Sequence, residues 1–487
     1  MILILSLANE KLFNFTKYIG GIFIIQLMQP RSLIATVLTM IALLSVVVGA
    51  FFYHSQNTTH AAAPQYKSHG ITVKPLITPA GKPNTNNKVQ FNCQNNGAAV
   101  RCYGPYQMRQ AYDITRVLQS GDRGQGSTIV IIDAFQSPTI RQDLKLFNQV
   151  WGLNNATLNI IAPDGLTPFN PNDPNQVGWS GEISLDVEWA HAIAPSATID
   201  LVLAKDNQDA SLLSVTKYAV DKNLGDVISQ SFGEGESCMD PGLMQLQHLV
   251  FQEAVNKGIT VFASSGDQGA AQPTCDGTSF FLSASTPASD PLVTAVGGTY
   301  LNADSTTGKY IGESAWNETD VATGASGGGF STVYSRPAYQ IGFQNNTAQR
   351  GVPDVAYNAS VNGGVLVAWG VPFGVGNFFI FGGTSAGSPQ WAGMLALVNT
   401  VFGRQGNINP TLYQGFAKND YALFFHDITV GTNTFTSTDS SGNPVTVNGY
   451  NTRRGWDAVT GLGTLILGNT FFPPPGGSSD PSWVHNK

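Results

Sequence analysis

In "FGGTSAGSPQWAGMLALVN", residues 381–399, a small hydroxyl stands between a glycine pair and an apolar helical run. Two chemistries suit Ser385. A serine before an apolar run can cap orphan backbone N–H groups of a helix. It can also be a nucleophile, because the glycines let a substrate backbone come close. In "GWSGEISLDVEWAHAIAP", residues 178–195, Glu182 and Asp186 are spaced i, i+4 on a helix that Ser180 is expected to cap. Acidic groups favour a helix N-terminus, which is one reading. The other is a carboxylate pair that shares a proton and keeps one member ready as a base. Asp267 follows an apolar run in "VFASSGDQGA" (261–270), where it is either a turn residue or a third carboxyl of the same cleft. Of seven histidines, His54, His60, His69 and His485 fall near the termini, and His191, His248 and His426 carry no motif of a Ser/His/Asp triad.

These residues need a frame that brings them together. "STIVIIDAF" (127–135), "TIDLVLA" (198–204), "DVISQSFG" (226–233), "GITVFASSGD" (258–267) and "PLVTAVGGT" (291–299) read as short buried strands rich in branched residues. Helical patterns cover 181–193, 209–223, 242–257 and 385–400. Strands alternating with helices predict an α/β domain with a mostly parallel sheet, whose site lies at the C-terminal ends of the strands. Asp267 just past one strand and Ser385 at a helix mouth fit that edge.

Together the segments resemble the sedolisins, serine-carboxyl peptidases with a subtilisin-like fold. "GGTSAGSPQWAG" is similar to the family's nucleophile motif, "GEISLDVEWA" to its Glu/Asp helix and "SSGDQGA" to its oxyanion segment. "TPASDPLVTAVGGT", "SGGGFSTVYSRPAYQ", "RGVPDVAYNAS", "HDITVGTN" and "RRGWDAVTGLGT" follow in the family's order, so the likeness spans about residues 103–470. It implies a three-layer sandwich with a mostly parallel central sheet and helices on both faces. It implies Ser385 as nucleophile, Glu182 as the base, Asp186 as its partner, and Asp267 as a carboxylic acid donating to the oxyanion. It also implies one structural Ca²⁺, held by the carboxylates of Asp427 and Asp457 and the main-chain oxygens of Ile428, Arg453 and Gly455, with water. The family usually has glycine where Arg453 stands. Asp133, which ends the first strand, is left out of the catalytic set, because Glu182 takes the place of the histidine that such an aspartate supports in subtilisin-type enzymes.

The bulk numbers exclude some partners. A net charge of −7 offers no basic stripe for nucleic acid. Charged residues make up 12%, about half the usual share, which suits an acidic medium. Cys93, Cys102, Cys238 and Cys275 form no CxxC pair, so a zinc ribbon is not expected. Their even number points to two disulfides. Cys93–Cys102 and Cys238–Cys275 are the preferred pairing of three that are open. Residues 33–53 are uncharged, follow Arg31, and are long enough to cross a bilayer as an anchor. "HAAAPQ" (60–65) offers a cleavage site for a signal peptide instead, and "MQPRS" from Met28 looks like a signal start. Either way, residues 64–487 are expected to be exported, secreted or held at the cell surface. The expected layout is a signal or anchor region at 1–63, a loosely ordered polar extension at 64–102, a peptidase domain at 103–470, and a Pro/Gly/Ser-rich tail at 471–487. About 40 residues between signal and domain are too few for a large folded propiece. The leading expectation is an exported acid endopeptidase, monomeric and acting on proteins or peptides. The alternatives are a tripeptidyl-type exopeptidase, a Ser/His/Asp hydrolase and a catalytically silent surface binding protein.

Overall fold

The computed structural model describes residues 66–84, 90–95, 97–344 and 348–473. The apolar segment 33–53, the cleavage-site candidate at 60–65 and most of the tail lie outside the described residues. No helix among the described residues is long and apolar enough to cross a membrane.

Two strands precede the main sheet, β1 (Ile77–Gly81) and β2 (Cys102–Tyr103). The main sheet is built from β3 (Thr128–Ala134), β4 (Thr157–Ile161), β5 (Thr198–Ala204), β6 (Val227–Gln230), β7 (Thr260–Ser264), β8 (Val293–Ala303), β9 (Tyr310–Ala315) and β10 (Val355–Asn358). The spatial order is β9-β8-β7-β6-β3-β5-β4, with β10 also paired to β8. Every pairing in it is parallel except β8 with β9. A smaller sheet joins β1 and β2 through β11 (Gly364–Ala368) and β12 (Phe378–Phe381), in the order β1-β12-β11-β2. The long helices are α1 (Ile140–Trp151), α2 (Pro174–Ile193), α3 (Asp209–Lys222), α4 (Pro241–Asn256) and α5 (Gly387–Phe402).

The run "TIVIIDA" of β3 shows why the sheet is sandwiched. Ile129 and Ile131 pack into one core with Ile183 and Leu185 of α2 and Ala392 and Leu395 of α5. Val130 and Ile132 point the other way, into a core with Leu212 and Leu213 of α3 and Val250 and Phe251 of α4. A strand covered on both faces needs this unbroken apolar run. The three-layer sandwich is as expected from the sequence.

Helix α2 is buried on every side from Gly178 to Ile193. It packs on α5 so closely that a Cβ on Gly393 would stand 2.7 Å from Ile193 Cβ. A helix buried all round needs partners for its polar residues. Glu188 accepts from the Ala368 N–H at 2.9 Å, and His191 Nε2 meets the Asn154 carbonyl at 2.9 Å.

Two sequence expectations need correction. The cap of α2 is Asp173, which accepts from Asn175 N at 2.9 Å, and Pro174 opens the helix. Ser180 lies inside the helix, donating to the Val177 carbonyl at 2.7 Å and accepting from Trp369 Nε1 at 3.1 Å. The described part of the N-terminal extension is also packed rather than loose. β1 pairs antiparallel with β12 from Ile77–Phe381 to Gly81–Phe378, and a disulfide joins Cys93 to Cys102. The second disulfide joins Cys238 to Cys275, so both favoured pairings hold.

Candidate active site

Strand β12 ends at Phe381, and Gly382 and Gly383 turn the chain into a single 3-10 turn, Thr384–Ala386, ahead of α5. Gly383 has φ +98°, which glycine adopts at least cost, and a Cβ there would stand 2.7 Å from Asp267 Oδ2. Ser385 therefore sits on a tight shoulder above the helix and does not cap it, since α5 receives no side-chain cap. Its hydroxyl is partly exposed and makes one weak contact, at 3.4 Å, with the Ser231 carbonyl. It also donates toward Glu182.

Glu182 lies more than two turns into α2, so the helix-terminus explanation for its charge does not apply. It lines the same cleft as Ser385 and Asp267, a space of about 110 Å³. Asp186 lies one turn further along and is fully buried, with Oδ1 accepting from Ser231 Oγ at 2.9 Å. Glu182 Oε1 and Asp186 Oδ2 are both buried without a donor among the described residues. Carboxylates can only accept, so a proton held on either group relieves its orphaned oxygen. Burial, and then Asp186, holds Glu182 well above the usual carboxylate range, while the Ser385 hydroxyl pulls the other way. Burial, and then Asp133, does the same to Asp186.

Asp133 thus belongs to this buried acidic group, although the sequence reading set it aside. It is the last residue but one of β3, is fully buried, and neither carboxyl oxygen has a hydrogen-bond partner among the described residues. Burial and then Glu182 raise it well above the usual range. Its place at the carboxyl end of a central strand was a signal for it.

Asp267 is fixed by a residue that the sequence reading did not single out. Its Oδ1 accepts from both Thr384 N and Thr384 Oγ at 2.8 Å, which leaves Oδ2 beside Gly383. Burial raises Asp267 and the two Thr384 bonds oppose it. No histidine among the described residues lines the cleft. His248 is paired with Asp290 at 2.8 Å, and His426 stacks on Tyr310.

A strap of chain crosses this cleft. Residues 71–76 line it together with Glu182 and Ser385. The strap enters beside Asn207, whose carbonyl accepts from Ile71 N at 2.8 Å, and leaves beside Gly382, whose N–H donates to the Leu76 carbonyl at 2.9 Å.

Four of the five residues of the expected calcium site meet in two pairs, and Ile428 follows Asp427 in the chain. Asp427 Oδ1 accepts from Gly455 N at 3.1 Å, and Asp457 Oδ2 accepts from Arg453 N at 3.0 Å. The carbonyls of Ile428, Arg453 and Gly455 accept no backbone hydrogen bond among the described residues. Burial pushes Asp457 up to about 6. Among the described residues no group of three or more His, Cys, Asp or Glu side chains is arranged to hold a metal ion, so carbonyl oxygens would have to complete a shell here. Oxygen donors around two carboxylates fit Ca²⁺. Arg453 would serve through its carbonyl, and its Nε donates to the Trp456 carbonyl at 2.9 Å.

The subtilase family profile matches residues 170–417. Kumamolisin of Bacillus sp. (strain MN-32) is 31% identical over 410 residues, covering 82% of this chain and 68% of that protein. The chain belongs to the sedolisin family. Sedolisin of Pseudomonas sp. (strain 101) is 29% identical over 380 residues, and this chain spans 60% of its length. Tripeptidyl-peptidase 1 of Dictyostelium discoideum is 29% identical over 345 residues, and the chain spans 50% of that enzyme. Among solved structures, Pseudomonas sedolisin in complex with two molecules of pseudo-iodotyrostatin superposes with a TM-score of 0.65 at 27% identity, covering 76% of this chain and 97% of that one.

Proposed function

We propose that this chain is an acid endopeptidase acting on proteins and peptides through Ser385, Glu182, Asp186 and Asp267. The observation that carries this reading is the cleft itself, where a hydroxyl, a proton-holding carboxyl pair and a third raised carboxyl meet without a histidine. Glu182 takes the Ser385 proton as Oγ attacks the substrate carbonyl. The C–O bond forms and the oxyanion accepts hydrogen bonds from protonated Asp267 and the Ser385 N–H. Glu182 then gives the proton to the leaving amine as the C–N bond breaks, and water reverses the first steps to free the enzyme. Asp186 shares the proton of Glu182, and Thr384 holds Asp267 in place.

Cutting within chains, rather than release of N-terminal tripeptides, is favoured by the strap, which runs through the cleft and leaves at both ends. Digestion of a denatured protein at pH 4 should give internal fragments of many lengths by mass spectrometry. A ladder of tripeptides alone would replace this reading with the exopeptidase one. Two disulfides fit an oxidising compartment and thus the proposal that residues 64–487 work outside the cytosol.

Asp427, Asp457 and the three carbonyls would hold one Ca²⁺, which would tie the segment at 427–428 to that at 453–457. Binding to the folded state alone adds about 2.7 kcal/mol at a hundredfold excess over Kd. The melting temperature should therefore fall by about 3 °C when EDTA replaces calcium. Asp427→Asn should erase that difference. Identical melting curves for the unaltered chain in the two buffers would remove calcium from the account.

A further inference from the structure

Asp267 is held in two ways, and only one of them touches its carboxyl. Thr384 fixes Oδ1. The main chain of residues 267–270 is held separately, from two sides. On one side the Asp267 carbonyl accepts from Ala325 N at 2.9 Å, and Gly269 N donates to the Ala325 carbonyl at 3.0 Å. On the other side Ala270 N donates to the Asn433 carbonyl at 3.0 Å. Gly269, at φ +61°, lies so close to that carbonyl that a Cβ on it would stand 2.2 Å from the oxygen. A loop that carries a reacting group needs such holders, because no regular element sets its place.

Asn433 is in turn tied down at every polar atom. It is fully buried. Its Oδ1 accepts from Tyr450 N at 2.7 Å, and its main-chain N–H donates to the Tyr450 carbonyl at 3.1 Å. Its Nδ2 donates to the carbonyls of Gly328 at 3.4 Å and Ala458 at 3.3 Å. Gly449 closes on it from behind, where a Cβ would stand 2.4 Å from Asn433 Oδ1 and 2.6 Å from its main-chain oxygen. A buried amide with all its groups partnered makes a rigid post. Asn433 does not line the cleft, so its reach to the chemistry runs through residues 269–270.

We propose that Asn433 is a positioning residue for the oxyanion donor: through its carbonyl on Ala270 N and its contact with Gly269, it sets where the Asp267 carboxyl stands against the carbonyl that Ser385 attacks. The inference rests on the peptidase reading, because it gives Asn433 a part in that reaction. An oxyanion donor acts over the length of one hydrogen bond, so a displacement of about 1 Å costs about a hundredfold in rate. Thr384 fixes which way the carboxyl turns, and Asn433 fixes the stretch of chain from which it turns.

Asn433→Ala removes the three side-chain bonds and should loosen the post. Hydrogen exchange at the Ala270 amide should quicken at least tenfold, with the β7 amides still protected. Peptide cleavage should lose at least tenfold in kcat while KM stays within twofold, because the loss falls on the transition state. The alkaline limb of the pH profile should move to lower pH, since burial is what raises Asp267 and a loosened loop lets water in. Glu182 is the charged group that faces Asp267, and its own surroundings are untouched by the change. In an Asp267→Asn chain, the same substitution should move the limb no further and cost less than threefold in kcat, because the two residues act as one unit. Gly449→Ala presses on the same carbonyl and takes the place of Asn433→Ala if that variant does not fold. An unmoved limb, an Ala270 amide that keeps its protection, or a loss in kcat just as large in the Asp267→Asn chain overturns the proposal and leaves the peptidase reading standing. No cleavage of any peptide by the unaltered chain would sink the peptidase reading, and the positioning role with it.

Discussion

Ser385→Ala lowers peptide cleavage by about 10⁴-fold or more and leaves the fold intact. The size follows from the role: without Oγ no covalent intermediate forms, and binding with oxyanion donation supplies only the residue of the rate. The intact fold follows from the contacts. The hydroxyl caps no helix, and its 3.4 Å contact with the Ser231 carbonyl is too long to be worth much. The change in stability should stay within about 0.5 kcal/mol, as for a partly exposed side chain with few partners. Cleavage rates and a melting curve on the same preparation check both halves. Activity within twofold of the unaltered enzyme would take Ser385 out of the chemistry.

The second large effect is on pH. Ordinary carboxyls titrate near pH 4. Glu182, Asp186 and Asp267 are all raised, burial being the largest cause in each. A raised group keeps its proton to higher pH, so the working form persists through acid solution and is lost as pH rises through these values. Activity should peak at roughly pH 3–5 and fall toward neutrality. A histidine base predicts the opposite, because it is silenced below about 6.5. The fold follows a related rule. Carboxyls raised by folding add stability that is complete below about pH 4 and lost as pH climbs through their folded values, which for Asp143 is about 6 and for Glu234 about 8. His191 and His426, both held down to about 4 by burial, act in the other sense and lose their contribution as pH falls below about 6.5. Melting curves at each pH therefore separate a lost proton from a lost fold. Asp267→Asn isolates the oxyanion donor, since an amide still donates but does not titrate. Its rate should be lower and its alkaline limb should move upward. An unmoved limb, or an optimum at pH 8 for the unaltered enzyme, would refute the acid mechanism.

The chemistry was legible because its residues sit at local landmarks. Ser385 follows a glycine pair, Asp267 follows a strand, and Glu182 and Asp186 share a helical spacing. The start of α2 was not legible in the same way. Its true cap, Asp173 before Pro174, lies in a polar stretch that reads as loop, and a helix buried all round shows no amphipathic period to extend the pattern back. Asp133 was visible as a strand end, but its burial beside Asp186 depends on long-range packing. The strap was hidden for a related reason. Its run ITVKPL is too short to show a period, and β1 finds its partner β12 only some 300 residues later, a pairing that leaves no local trace.

The way β1 is held has a consequence for trimming. Its pairing with β12 and the Cys93–Cys102 bridge both lie downstream of Leu76. A nick between Ile71 and Leu76 would thus cut Ile71, packed in one core with Leu212 and Phe232, loose from β1. The piece beyond the nick would stay woven into the small sheet, with its new amino group at the rim of the cleft. That group is charged below about pH 7.7, so the trimmed enzyme would carry a fixed cation at one end of its groove. Peptides ending in a free carboxylate on that side would be drawn in, and those ending in lysine or arginine turned away.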